Sequence, residues 1–397
     1  MDRKKILIAI SAAGISLLTM TAGGLRPDAA LTAAIGAARS TAYFTAGITF
    51  RGENTVEAPP FTEEEPEQTA GQAGTSEQSA ESQPEESAAL AAAVTADSTV
   101  STPAAQESVE SRARVISRNI AEFDDGVDRT AEGTESGVIV REHFGGYQGD
   151  DYIELPGGGL VWNCTLDSAE SIIAAGSEPP QTGVERNTPE PQVLIIHTHT
   201  TESYEPYQRN YYDISYPSRT RDSAHNVVRV GEALAQKLAE NGISVLHDGT
   251  IHDYPSYTGS YDRSEETIRA ALEEYPSIKM ILDLHRDAIS GGGVRTAPVS
   301  ETDGRYAAQF MVITGCDDGR FGNMPDYFSN LSLACAIQNS SEKLYPGLAR
   351  PVLFDYRNYN QHISTGSLLI EIGSHANSID EAVYTGELLG DIIAAAV

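Results

Sequence analysis

Residues 193–202, Val-Leu-Ile-Ile-His-Thr-His-Thr-Thr-Glu, set two imidazoles and a carboxylate directly after four apolar residues. Two further apolar runs end in the same kind of chemistry. His285, Arg286 and Asp287 follow one that closes at Leu284; Glu371 interrupts the other, over 368–372, with His375 just beyond. His225 stands at the start of a long helical stretch. Catalytic zinc takes three protein ligands from His and carboxylate and keeps an open position for water. His197 or His199, with Glu202 and His285, would supply two imidazoles and one carboxylate. An ion held there would bring the pKa of its water to about 7 and polarise a carbonyl. A carboxylate outside the ligand set would then move the proton to a leaving nitrogen. Glu371 suits that role, because a charge inside an apolar strand is costly unless partnered or used.

His197 and His199 lie two apart, so on an extended strand both face one side. One is expected to hold metal and the other to hydrogen-bond a ligand or substrate. Each residue also has a plainer reading. A lone His at a strand end is more often a hydrogen-bonded structural residue, Glu371 could pair with Arg286, and Arg286 could pair with Asp287. Three such strand ends in one half of the chain favour chemistry. His247, His252 and His362 have no such company and read as structural or surface residues. The spacing His199-x-x-Glu202 also fits a zinc carboxypeptidase.

The elements that must position these groups alternate in type. Strands are expected at 193–197, 244–247, 279–284, 309–314 and 367–372. Between them lies a helix at 227–240, where Val227, Val230, Leu234 and Leu238 keep helical spacing and Asn241-Gly242 supplies a stop. Further helices are expected at 265–274, 328–344 and 380–395. This alternation predicts an α/β fold with an open, mainly parallel sheet and helices on both faces. Such sheets gather their sites at the carboxyl ends of the strands. Upstream, a helix is expected around 114–122 and a β-hairpin over 151–166, about a Pro-Gly-Gly-Gly turn. The domain plan is then a helix-and-hairpin region at 112–190 and a catalytic domain at 191–397.

Charge narrows the function. Lys+Arg number 27 against 57 Asp+Glu, a formal charge of −30 that argues against a basic nucleic-acid groove. No Lys or Arg occurs between Arg51 and Arg112, and 57–111 reads as an acidic disordered linker. The three cysteines offer neither a disulfide framework nor a CxxC pair. Arg3, Lys4 and Lys5 precede an uncharged run of roughly 20 residues, so 1–26 reads as a signal-anchor, with a cleaved signal peptide as the alternative, and either places the rest outside the cytoplasmic membrane. Residues 27–56 have no assigned role.

The segments "HTHTTESY", "NVVRVG" (226–231), "LDLHRDA" and "LLIEIG", with the plan of anchor, linker and C-terminal domain, resemble the stage II sporulation protein P family of endospore-forming bacteria. The resemblance covers roughly 151–397. It implies a membrane-anchored cell-wall hydrolase whose domain is similar to zinc-dependent N-acetylmuramoyl-L-alanine amidases. Such an enzyme would cleave the amide between peptidoglycan glycan and stem peptide, and also peptide cross-links, during forespore engulfment. The resemblance further implies zinc as cofactor, stage II sporulation proteins D and M as partners, metal at His197 or His199 and at His285, and a catalytic Glu371. The related amidases draw their carboxylate ligand from the first long helix, where this chain has Asp222 or His225; Glu202 is expected to take that place. A wall-peptide carboxypeptidase and a non-catalytic wall-binding scaffold are the alternatives, separable by reaction products and metal content.

Overall fold

The run 193–196 has no polar residue and no exposed one, which suits a strand covered on both faces. In the computed structural model, which describes residues 112–397 apart from 131, 320 and 325, it is a central strand of a nine-stranded sheet. The expected anchor, the 27–56 segment and the acidic linker lie outside the described residues. In chain order the elements are β1 (Val115–Arg118), β2 (Gly137–Glu142), β3 (Tyr152–Glu154), β4 (Leu160–Asn163) and α1 (Ala169–Ala175). Then come β5 (Val193–Ile196), β6 (Tyr211–Tyr212), α2 (Val227–Glu240), β7 (Val245–Asp248), α3 (Ser260–Glu274), β8 (Met280–Asp287) and β9 (Ser290–Gly291). The chain closes with β10 (Val294–Thr302), β11 (Arg305–Ala308), β12 (Phe310–Gly315), α4 (Tyr327–Leu344), β13 (Val352–Asp355), β14 (Ser367–Ser374) and α5 (Ile379–Ala396). Among the described residues, no helix is long and apolar enough to cross a membrane.

The large sheet runs β1-β7-β5-β8-β14-β12-β13-β4-β3. It is parallel except where β12 meets β14 and β3 meets β4. Strand parity divides its side chains between two cores. Val193, Ile195, Leu282, Leu284, Leu368 and Ile370 pack against α1, α2, α4 and α5, whereas Leu194, Ile196 and Ile281 pack against Ile268 and Ala271 of α3. Helices therefore cover both faces, but unequally: four on one side and α3 on the other.

Two features depart from the sequence reading. Residues 115–118 form edge strand β1, parallel to β7, and not the expected helix. Val115 and Ile116 are β-branched and serve the two opposite cores, which only an extended segment allows. A second sheet, β11-β10-β2-β6 with β9 on β10, was not anticipated. Its strand β2 leaves Val138 and Val140 45% and 41% exposed, and β10 is largely polar, so neither reads as a buried run. The hairpin forms as β3–β4, and with β1 it belongs to the same large sheet as the strands beyond residue 191.

Candidate active site

On β8, Asp283 and His285 take the opposite parity to Leu282 and Leu284 and so face the α3 side. Glu371 is the register partner of His285 on β14. Just beyond, the pairing slips: Ser374, not Ile372 or Gly373, faces Asp287, so β14 carries a bulge after the glutamate. Gly373 makes the bulge with φ of +61°, and a Cβ there would lie 2.7 Å from Asn377 Oδ1 and 2.8 Å from Ala308 Cβ. Only glycine suits both demands.

β5 ends at Ile196 because the next residues are drawn into a turn. Thr198 donates from N and Oγ1 to the Asp283 carboxylate at 2.8 and 2.7 Å, and Glu202 N donates to the His199 carbonyl at 3.0 Å. This turn corrects the expectation that His197 and His199 share a side. His197 keeps the parity of Val193 and Ile195 and enters the α2 core, fully buried, with Nε2 3.0 Å from His247 Nε2 and Nδ1 3.3 Å from the Leu284 carbonyl. A Cβ on Gly231 of α2 would stand 2.8 Å from its ring. Burial, then the neighbouring His247, pushes the His197 pKa down to about 3, so the ring is neutral. His252 is tied to the same segment, Nδ1 2.8 Å from the His197 carbonyl.

His199 stands on the other face with the carboxylates. Its ring stacks on Tyr257 at 4.4 Å, meets the His285 ring edge-on at 5.2 Å, and places Nδ1 3.3 Å from Ser260 Oγ. Burial, then the charge of His285, lowers its pKa to about 4. His285 has Nε2 3.0 Å from Asp283 Oδ1, too poorly aligned for a directed hydrogen bond, and Nδ1 3.6 Å from Glu202 Oε2. Burial opposes its charge, but Asp283 and Glu202 outweigh burial and raise its pKa well above the usual value. Glu202 is buried too, which opposes its ionisation; Arg286 first, then His285 and Arg219, hold it well below the usual carboxylate range.

Arg286 binds Glu202 and not Glu371. Its backbone N donates to Glu202 Oε2 at 3.1 Å, Nη1 lies 3.9 Å from Oε1, and Nε and Nη2 donate to the carbonyls of Ser203 and Ser218. Asp287 pairs with Arg350 at 2.9 Å. Glu371 is partly accessible, yet its Oε2 is closed off without a hydrogen bond. Burial, then Asp287, raises its pKa to about 8. His375 is buried, and burial, then Arg286 and Arg295, keeps it neutral with a pKa of about 3. Asp222 and His225 face each other at 2.8 Å, with Arg129 beside them.

Among the described residues, no group of three or more His, Cys, Asp or Glu side chains stands close enough together to hold an ion as placed. The donor chemistry of His199, Glu202 and His285 still fits zinc. It offers two imidazoles and a carboxylate, with Asp283 against the far nitrogen of His285 as metal-bound imidazoles require. His197 does not fit, since both its nitrogens are engaged behind the sheet. Sequence reasoning passed over Asp283, Tyr257 and Ser260. Only Asp283 left a signal: Asp-x-His on a strand puts both side chains on one face.

A mixed α/β protein with a buried imidazole–carboxylate centre at its strand ends is the class that fold and site define. The chain belongs to the stage II sporulation protein P (SpoIIP) family, whose model matches residues 40–394. The stage II sporulation protein P of Bacillus subtilis (strain 168) is 27% identical over 267 residues, 62% of this chain and 63% of that protein. The chain thus spans less than two thirds of that relative. Among solved structures, an N-acetylmuramoyl-L-alanine amidase from Clostridium difficile 630 is similar with a TM-score of 0.32 at 12% identity, over 52% of this chain and 95% of that one. The CwlD amidase from Clostridioides difficile, in complex with the GerS lipoprotein, gives a TM-score of 0.30 at 14% identity, over 52% and 93%. The amidase AmiC2 of Nostoc punctiforme gives 0.29 at 12%, over 51% and 93%.

Proposed function

We propose that the chain is a zinc-dependent peptidoglycan hydrolase that cleaves the amide between glycan and stem peptide, and also peptide cross-links, during forespore engulfment. Membership of the sporulation family supports the setting. The observation that carries the chemistry is the placing of His285 opposite Glu371, with His199 and Glu202 on the same face of the sheet.

His199, Glu202 and His285 would hold the ion. When bound, zinc supplies polarisation of an amide carbonyl and a water acidic enough to attack near neutral pH. Asp283 sets its charge against His285 Nε2 and fixes the turn that presents His199. Arg286 anchors Glu202 and the loop behind it. Glu371 takes a proton from the attacking water at its carboxylate and returns it to the leaving nitrogen. A carbon–oxygen bond forms, the carbon–nitrogen bond breaks, and the products are a carboxylic acid and an amine. A glutamate with a pKa near 8 is a strong base once ionised. In this reading the N-terminal segment anchors the chain, the catalytic domain lies outside the cytoplasmic membrane, and stage II sporulation proteins D and M are its partners.

The test is zinc content and digestion of purified cell-wall sacculi by the full chain, its His285→Ala variant and its Glu371→Gln variant. Wild type should hold about one zinc and release muramic-free peptides; His285→Ala should lose both properties, and Glu371→Gln should keep zinc but not activity. Release of single terminal amino acids instead would make it a carboxypeptidase. A folded wild type without zinc or activity would leave a scaffold.

A further inference from the structure

Arg221 lies against two aromatic rings, its guanidinium carbon 3.7 Å from the centroid of Phe123 and 4.3 Å from that of Tyr254. No carboxylate pairs with it among the described residues, although acids outnumber bases 57 to 27 in this chain. Its neighbours are treated otherwise: Arg219 pairs with Asp253 at 2.6 Å and Arg129 with Asp125 and Asp222. The two rings hold the charge in place and remove part of its water, while its N–H donors have no protein acceptor among the described residues.

The position relative to the candidate site follows from shared segments. Tyr254 adjoins Asp253, which accepts from Thr201 and pairs with Arg219. Arg219 in turn reaches Glu202 at 3.4 Å and lies over Tyr257, the ring stacked on His199. Arg221 and Tyr254 therefore continue the rim formed by Arg219 and Tyr257, and the two tyrosines are 51% and 57% exposed.

We propose that Arg221, braced by Phe123 and Tyr254, is a specificity-determining subsite for a free carboxylate on the peptide part of the substrate. A flat guanidinium with unmet donors matches a carboxylate in charge and fork geometry, and gives a carboxamide much less. This rests on the hydrolase reading above, so the test must separate the two.

The full zinc-loaded chain is assayed on a soluble disaccharide-peptide bearing a free carboxylate and on the same molecule with that group as carboxamide. Wild type should prefer the acid by about tenfold in kcat/KM, chiefly through KM. Arg221→Gln should bring the ratio to about one, and Arg221→Lys, which keeps the charge but not the fork, should retain part of it. No preference in wild type, or an unchanged ratio in Arg221→Gln, overturns the subsite. If neither molecule is cleaved, both are titrated against the chain by calorimetry. Acid-selective binding lost in Arg221→Gln then supports the subsite while the hydrolase reading falls, and its absence removes both.

Discussion

His285 and Glu371 are partners across the parallel ladder of β8 with β14, and the surroundings favour a proton on each of them. For Glu371 the folded pKa of about 8 exceeds the usual 4.5, so between those values the fold binds more protons than the unfolded chain and loses stability as pH rises. Glu371→Gln is neutral throughout. In chelator-treated protein it should melt near wild type below pH of about 4.5 and progressively above it up to about pH 8. Thermal melts across that range check this; a difference that does not grow with pH would mean that the carboxyl titrates normally.

The proton on His285 predicts how zinc enters. A metal-bound imidazole must be neutral, so binding should release a proton and the apparent affinity should weaken as pH falls. Calorimetry in buffers of different ionisation enthalpy measures that release. Asp283→Asn should lower zinc affinity by about 10- to 100-fold, because the carboxylate that faces the second nitrogen of His285 loses its charge.

Arg286 joins Glu202 to the loop carbonyls of Ser203 and Ser218. Arg286→Ala leaves a buried carboxylate without its main counter-charge and should cost about 3 kcal/mol in denaturant unfolding. An unchanged midpoint would show that solvent replaces the guanidinium without penalty.

Gly231→Ala tests the hidden histidine pair. The added methyl meets His197 and His247 at 2.7–2.8 Å, and overpacking of this kind costs about 1–3 kcal/mol. Zinc bound per folded chain should stay the same, whereas a ligand role for His197 would make it fall.

Much of this was legible where one residue decided one contact. Helix 227–240 is read to its ends because its apolar spacing and Asn241-Gly242 stop agree, and the structure adds an Asn226 cap at its start. Glu371 stands out because it breaks an apolar strand. The separation of His197 from His199 was not legible, since the turn between them is set by Thr198 reaching Asp283, 85 positions away. Strand β1 and the second sheet escaped for a related reason. Their few apolar residues acquire meaning only beside partners that are remote in sequence, such as β7 for β1 and β2 for β10.

The alternation along β8 and β14 also fixes where the chain can tolerate a change of length. Leu284 and His285 are neighbours that serve opposite faces, as are Ile370 and Glu371. A single residue inserted early in either strand would throw it out of phase, sending the acid or imidazole among the packed helices and a leucine or isoleucine toward the substrate. Length variation is therefore confined to the connections, and the two strands are a reading frame in which stability and chemistry are written on alternate letters.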